Sequence, residues 1–166
     1  TPRPMIHFFA KRYVAGDSLE SAVATVRRLA AEGCCATVDV LGESVANRDQ
    51  ALVAVNSYLA AIDAITEHGL DANVSLKPTQ MGLLIDEGFC RDNIAAILAK
   101  AHPRGIFVRI DMEDSPTTDA TLRVYRELWN AVMIMISAST EAHMQQWPAD
   151  VVLRPDLAPD LDMLIG

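Results

Sequence analysis

Two hydrophobic rhythms take turns along this chain. Leu19, Ala22, Val23, Val26, Leu29 and Ala30 recur at the spacing of one helix face, which predicts a first helix. Asp17 or Ser18 can cap it, Glu20 stands where a capping box from Asp17 would put it, and Gly33 predicts its end. A short β-branched run at 34–41 follows and reads as a buried strand closed by Gly42. Helical spacing returns from about Asn47 to His68, with Ala51, Leu52, Val55, Leu59, Ile62 and Ile65 on the inner face and Gly69 as the stop. A second strand is predicted over 72–77, ended by Pro78, which has no N–H to give a ladder. A third helix is predicted over 90–101 and a third strand over 106–112. A fourth helix (118–129), a fourth strand (131–136), a short helix (140–147) and one more strand (149–153) complete the pattern.

Strand followed by helix, four or five times over, implies an α/β fold with a parallel sheet and right-handed crossovers. An open doubly wound sheet and part of a (β/α)₈ barrel both satisfy that pattern. A whole barrel takes about 250 residues, and this chain has 166. Residues 1–16 read as a Pro-containing leader segment, and 17–166 as a single barrel-like domain.

Composition narrows the partners. The net charge of −8, without basic blocks, argues against nucleic acid and anionic membranes. No apolar run reaches the ~18 residues of a membrane span, and the start lacks a signal-peptide pattern. The cytoplasm, peripheral to the inner membrane at most, is the expected location. Cys34, Cys35 and Cys90 form no CxxC pair and read as free, mostly buried thiols. The four histidines are scattered, so no metal site is expected. GxGxxG, GxxxxGK[ST] and GxSxG are all missing.

In a parallel α/β fold, ligands bind beyond the carboxyl ends of the strands. That rule selects Asp39 and Glu43 after the first strand, Lys77, Thr79 and Gln80 after the second, and Asp111, Glu113 and Asp114 after the third. A lysine ending an apolar strand is costly to bury unless paired. Asp111 holds the matching place one strand over, about 4.8 Å away, so the pair is either a salt bridge that ties the sheet or a cation for an anionic ligand group with Asp111 orienting it. Arg109 shares the face of Asp111, as a second cation or as a carboxylate's partner. Asp39 points away from Val38 and Val40 and is expected to be satisfied by backbone or a neighbouring lysine. Glu43, Glu113 and Asp114 are expected to be solvated loop or cap residues, and MIMI at 133–136 to fill core.

The blocks RYVAGDSLESAV, ATVDVLGESV, ANVSLKPTQMGL and FVRIDMEDSPTTDATLRVYREL, in this order and spacing over about Phe9 to Leu128, resemble the proline dehydrogenase family. The resemblance implies a partial barrel of that type, binding FAD without a Rossmann fingerprint. It further implies oxidation of L-proline to Δ1-pyrroline-5-carboxylate by hydride transfer to the flavin, with electrons passed to a quinone at the inner face of a membrane. By residue match, Lys77 and Asp111 fall on active-site positions, Met112 where the backbone meets the flavin, and Ser137 where the family has a flavin-contacting glutamine. From about residue 137 the tail departs from the family pattern, and the arginines that grip the substrate carboxylate are not matched. A non-catalytic half-barrel serving binding or assembly is the alternative expectation, and its open sheet edge predicts a homo-oligomer.

Overall fold

The computed structural model describes residues 18–129. Helix α1 (Leu19–Ala31) leads to β1 (Ala36–Asp39), α2 (Arg48–Glu67), β2 (Ala72–Leu76), α3 (Glu87–Ala101) and β3 (Val108–Ile110), with short 3₁₀ turns at His102–Arg104 and Ser115–Thr117. A fourth helix, α4, occupies 118–129. The leader, Ser137 and the elements expected at 131–136, 140–147 and 149–153 lie outside the described residues.

The boundaries follow from where backbone donors find partners. Ser18 is the N-cap of α1, and Ser21 closes the capping box; Glu20 therefore stands one position too early to close it, and the box expected from Asp17 is not the one formed. Both α1 and α2 end with a glycine at positive φ, Gly33 at 78° and Gly69 at 56°. The next N–H in each case reaches back to close the helix, Cys34 to Leu29 O at 2.9 Å and Leu70 to Ile65 O at 2.9 Å. Because Cys34 is used in that closure, β1 starts later than its hydrophobic run. Val40 leaves the ladder at the other end, donating instead to the Tyr58 hydroxyl at 3.3 Å. Ile106 bonds to Ala101 O at 3.2 Å, which shortens β3 in the same way. Helix α3 starts earlier than expected, at Glu87, because Asp86 caps it through Phe89 N at 2.6 Å.

The three strands form one parallel sheet in the order β1-β2-β3. Val74 and Leu76, both fully buried, pack with Val55, Tyr58 and Ile62 of α2 and Ile94 and Ile97 of α3, and Val38, Val40, Val108 and Ile110 adjoin the same cluster. Alternation sends the intervening residues to the opposite face: Thr37 and Asp39, Asn73 and Ser75, Arg109 and Asp111. Two expectations fail here. Leu52 is exposed on α2 while Tyr58 takes its place in the core, and Cys34 and Cys35 lie exposed in the α1–β1 turn while Cys90 is buried.

Candidate active site

The register places Asp39 beside Ser75 and Ser75 beside Arg109, a row across all three strands. Two residues further along, Lys77 and Asp111 begin the next row, since Leu76 is paired with Ile110 and Asp111 N donates to Leu76 O at 2.9 Å. The carboxyl ends of the strands thus carry two positive and two negative groups within two rows.

Each charge bonds across the rows rather than along them. Lys77 Nζ lies 2.9 Å from Asp39 Oδ2, and Arg109 Nε lies 2.8 Å from Asp111 Oδ1. The direct Lys77–Asp111 pair expected from their matching places is not the bond formed. The long lysine stem reaches back to Asp39, and Arg109, on the same face of the same strand, already holds Asp111. Asp39 has the lysine partner expected of it.

Electrostatics still couple the four. The hydrogen bond from Lys77 to Asp39 raises the lysine's pKa against the opposing effect of burial, and the negative charges of Asp39, Asp111 and Glu43 add to the rise. Burial works to raise the Asp111 pKa; the neighbouring Ser75 hydroxyl, the bond from Arg109 and the charges of Arg109 and Lys77 outweigh it, so Asp111 sits below its ordinary value. The sheet end therefore presents ionised groups of both signs.

Behind this row lies a residue that sequence reading missed. Tyr58, fully buried on α2, donates its hydroxyl proton to Asp39 Oδ1 at 3.0 Å. Burial, followed by the Asp39 charge, pushes its pKa far above the usual phenol value, so it stays a neutral donor. The signal was present: Tyr58 continues the Ala51, Val55, Ile62, Ile65 stripe, and a polar tip on a buried stripe needs a partner.

The loops beyond the strands are tied to one another. Gln80 Nε2 donates to Val40 O at 3.1 Å, and Ser44 N donates to Thr79 Oγ1 at 3.0 Å. Thr79 in turn donates to Glu113 from its N–H at 2.8 Å and its hydroxyl at 2.6 Å. Glu113 is thus a half-buried structural acceptor and not the solvated residue expected; Glu43 and Asp114 are exposed. Each of the three loops also exposes an apolar side chain: Leu41, Leu84 and Met112. Ser137 lies outside the described residues. Among the described residues no cluster of three or more His, Cys, Asp or Glu is placed to hold a metal, and no helix is long and apolar enough to cross a membrane.

Comparison with known proteins gives this arrangement a family. The family model described as proline dehydrogenase matches residues 22–144, most of the chain and all three strand ends. The chain belongs to the proline dehydrogenase family. Proline dehydrogenase 1 of Bacillus subtilis (strain 168) is 38% identical over 157 residues, which cover 95% of this chain and 52% of that protein. Proline dehydrogenase of Deinococcus radiodurans is 29% identical over 161 residues, covering 95% of this chain and 52% of the relative. The chain therefore spans about half the length of the curated relatives it matches. Among solved structures, proline utilization A (PutA) from Bdellovibrio bacteriovorus, inactivated by N-propargylglycine, superposes with a TM-score of 0.69 at 22% identity, over 77% of this chain and 16% of that one. That likeness shows the fold: the α/β parallel sheet with helices on one face is part of a proline dehydrogenase barrel.

Proposed function

We propose that this chain contributes the Lys77 and Asp111 side of an active site that oxidises L-proline to Δ1-pyrroline-5-carboxylate with FAD. The observation that carries the reading is the crossed arrangement of two ion pairs, Lys77–Asp39 and Arg109–Asp111, at the ligand-binding end of a proline dehydrogenase sheet.

Proline is a small zwitterion, and the site offers a counter-charge for each end. Lys77 has three N–H donors and gives one to Asp39, which leaves the others for a substrate carboxylate. Its raised pKa keeps it cationic. Asp111, held below the ordinary carboxylate range, is a poor proton acceptor. It serves as a fixed negative charge that orients the ring nitrogen rather than as a base. Fixing both ends of the substrate brings its reacting carbon to one place, which is how positioning lowers a barrier.

The residues present fit a flavin. Leu41, Leu84 and Met112 expose apolar surface on the three loops that border the charged row, and a planar ring system with a polar edge needs both kinds of wall. FAD, when bound, supplies the hydride acceptor. Met112 and Ser137 are the flavin-contacting positions by family match, and a membrane quinone is the onward electron acceptor in this reading.

The visible spectrum tests it. Protein mixed with FAD is expected to show bound-flavin absorbance that bleaches on addition of L-proline under anaerobic conditions. A chain that takes up FAD without bleaching loses the activity, and one that takes up none favours a non-catalytic half-barrel.

A further inference from the structure

We propose that Tyr58 is a positioning residue for Lys77, acting through Asp39 in an unbroken chain from the helical core to the substrate-binding ammonium. The inference rests on the reading above only in that Lys77 receives a substrate carboxylate.

Asp39 ends β1 with its side chain 38% exposed, so burial does not fix its carboxylate. Two donors do. Tyr58 holds Oδ1 at 3.0 Å and Lys77 holds Oδ2 at 2.9 Å. Of the two, only Tyr58 is rigid: its ring is fully buried in the cluster with Val55 and Ile62. Its oxygen accepts the Val40 N–H at 3.3 Å, from the residue directly after Asp39, so hydroxyl and strand end share one frame. Gln80 Oε1 stands 3.5 Å away, too far to compete well for the single hydroxyl proton.

A lysine side chain has four rotatable bonds and loses about 2 kcal/mol of rotamer freedom when ordered. Pairing it with a carboxylate that itself swings would leave the ammonium spread over several places. Anchoring one carboxylate oxygen on a core tyrosine confines the other oxygen, and with it Nζ. The competing explanation is that the Tyr58 hydroxyl only satisfies its own burial. In that case Lys77 would not respond to its removal.

Trace acetylation with acetic anhydride, read peptide by peptide, measures the reactivity of Lys77 against Lys100, which pairs with Asp63 at 2.6 Å and serves as reference. Tyr58→Phe removes one oxygen and keeps the ring. It is expected to raise Lys77 labelling about threefold or more, because a carboxylate free to swing holds the ammonium for less of the time, with Lys100 unchanged. In an Asp39→Asn background the same substitution is expected to add nothing. Lys77 labelling at or below the unsubstituted rate in Tyr58→Phe overturns the proposal. Should that variant not fold, Asp39→Ala cuts the chain at an exposed position, and an unchanged Lys77 there overturns it as well. Where proline bleaches the flavin, Tyr58→Phe is expected to raise KM more than it lowers kcat. Labelling requires neither flavin nor proline, so a chain that fails to bleach counts against proline oxidation alone, and unchanged labelling counts against the positioning chain alone.

Discussion

Thr79 gives Glu113 two hydrogen bonds, one from its backbone N–H at 2.8 Å and one from its hydroxyl at 2.6 Å. The same hydroxyl accepts from Ser44 N, so one buried side chain joins the loops that follow β1, β2 and β3. Thr79→Val keeps the volume and removes the hydroxyl's part of the joint, leaving only the backbone N–H bond to Glu113. It leaves the Ser44 N–H and one Glu113 oxygen without partners, and a loss of about 1–3 kcal/mol in urea denaturation is expected. Amide exchange at Ser44 should quicken in the same variant. A midpoint equal to that of the unsubstituted chain would show that water replaces the joint at no cost.

Lys77→Met separates chemistry from stability. The Lys77–Asp39 pair is partly solvated, with side-chain exposures of 23% and 38%, so its loss should change folding free energy by about 1 kcal/mol or less. Proline-dependent flavin reduction should nevertheless fall roughly 100-fold, about 3 kcal/mol of transition-state stabilisation. Parallel loss of both, measured on one preparation, would assign Lys77 to the fold instead.

Asp111 carries a pH signature. Its folded-state pKa is depressed, so its contribution to stability is present above the unfolded value and is lost as pH falls through the folded one. The difference in urea midpoint between the unsubstituted chain and Asp111→Asn should therefore be visible at pH 7 and shrink below about pH 4. Because Arg109 is half exposed, the effect at pH 7 should stay within about 1 kcal/mol. A gap that widened on acidification would contradict the depressed pKa.

The cysteines should divide by environment. Cys34 and Cys35 are exposed and should react with iodoacetamide in the native state. Burial, with the charges of Glu113 and Glu87 adding to it, pushes the Cys90 thiol up to about 12, so it should react only after unfolding. Peptide mass mapping with and without denaturant reads this directly, and native labelling of Cys90 would mean that α3 opens.

Much of the scaffold is legible in the chain. Gly33 and Gly69 end α1 and α2 because only a glycine takes positive φ cheaply at a helix end, and the alternation of rhythms implies the parallel sheet. Register follows too: Lys77 and Asp111 do begin the same row. The partners of those two side chains were less legible. A strand-end lysine chooses its partner by side-chain reach, and Asp39 and Asp111 are both within it, so spacing alone could not separate them. Tyr58 was hidden because its apolar ring reads as core while its hydroxyl reaches the site. Glu113 was hidden because its partner is partly a backbone N–H, which no side-chain pattern announces. The thiols at 34 and 35 were misread because a helix-closing turn took the start of an apparently buried run.

Among the described residues, helices on a single face of the sheet divide the strands by parity. Val38, Val74, Leu76, Val108 and Ile110 hold even numbers and serve the core; Asp39, Ser75, Lys77, Arg109 and Asp111 hold odd numbers and serve the charged row. Insertion of one residue ahead of any strand would exchange the two sets on that strand, turning ionic groups into the helices and aliphatic ones toward ligand, whereas insertion of two would restore both. Along each strand, then, durability and reactivity are inherited by alternate residues, and one can be altered by substitution while the other is left in place.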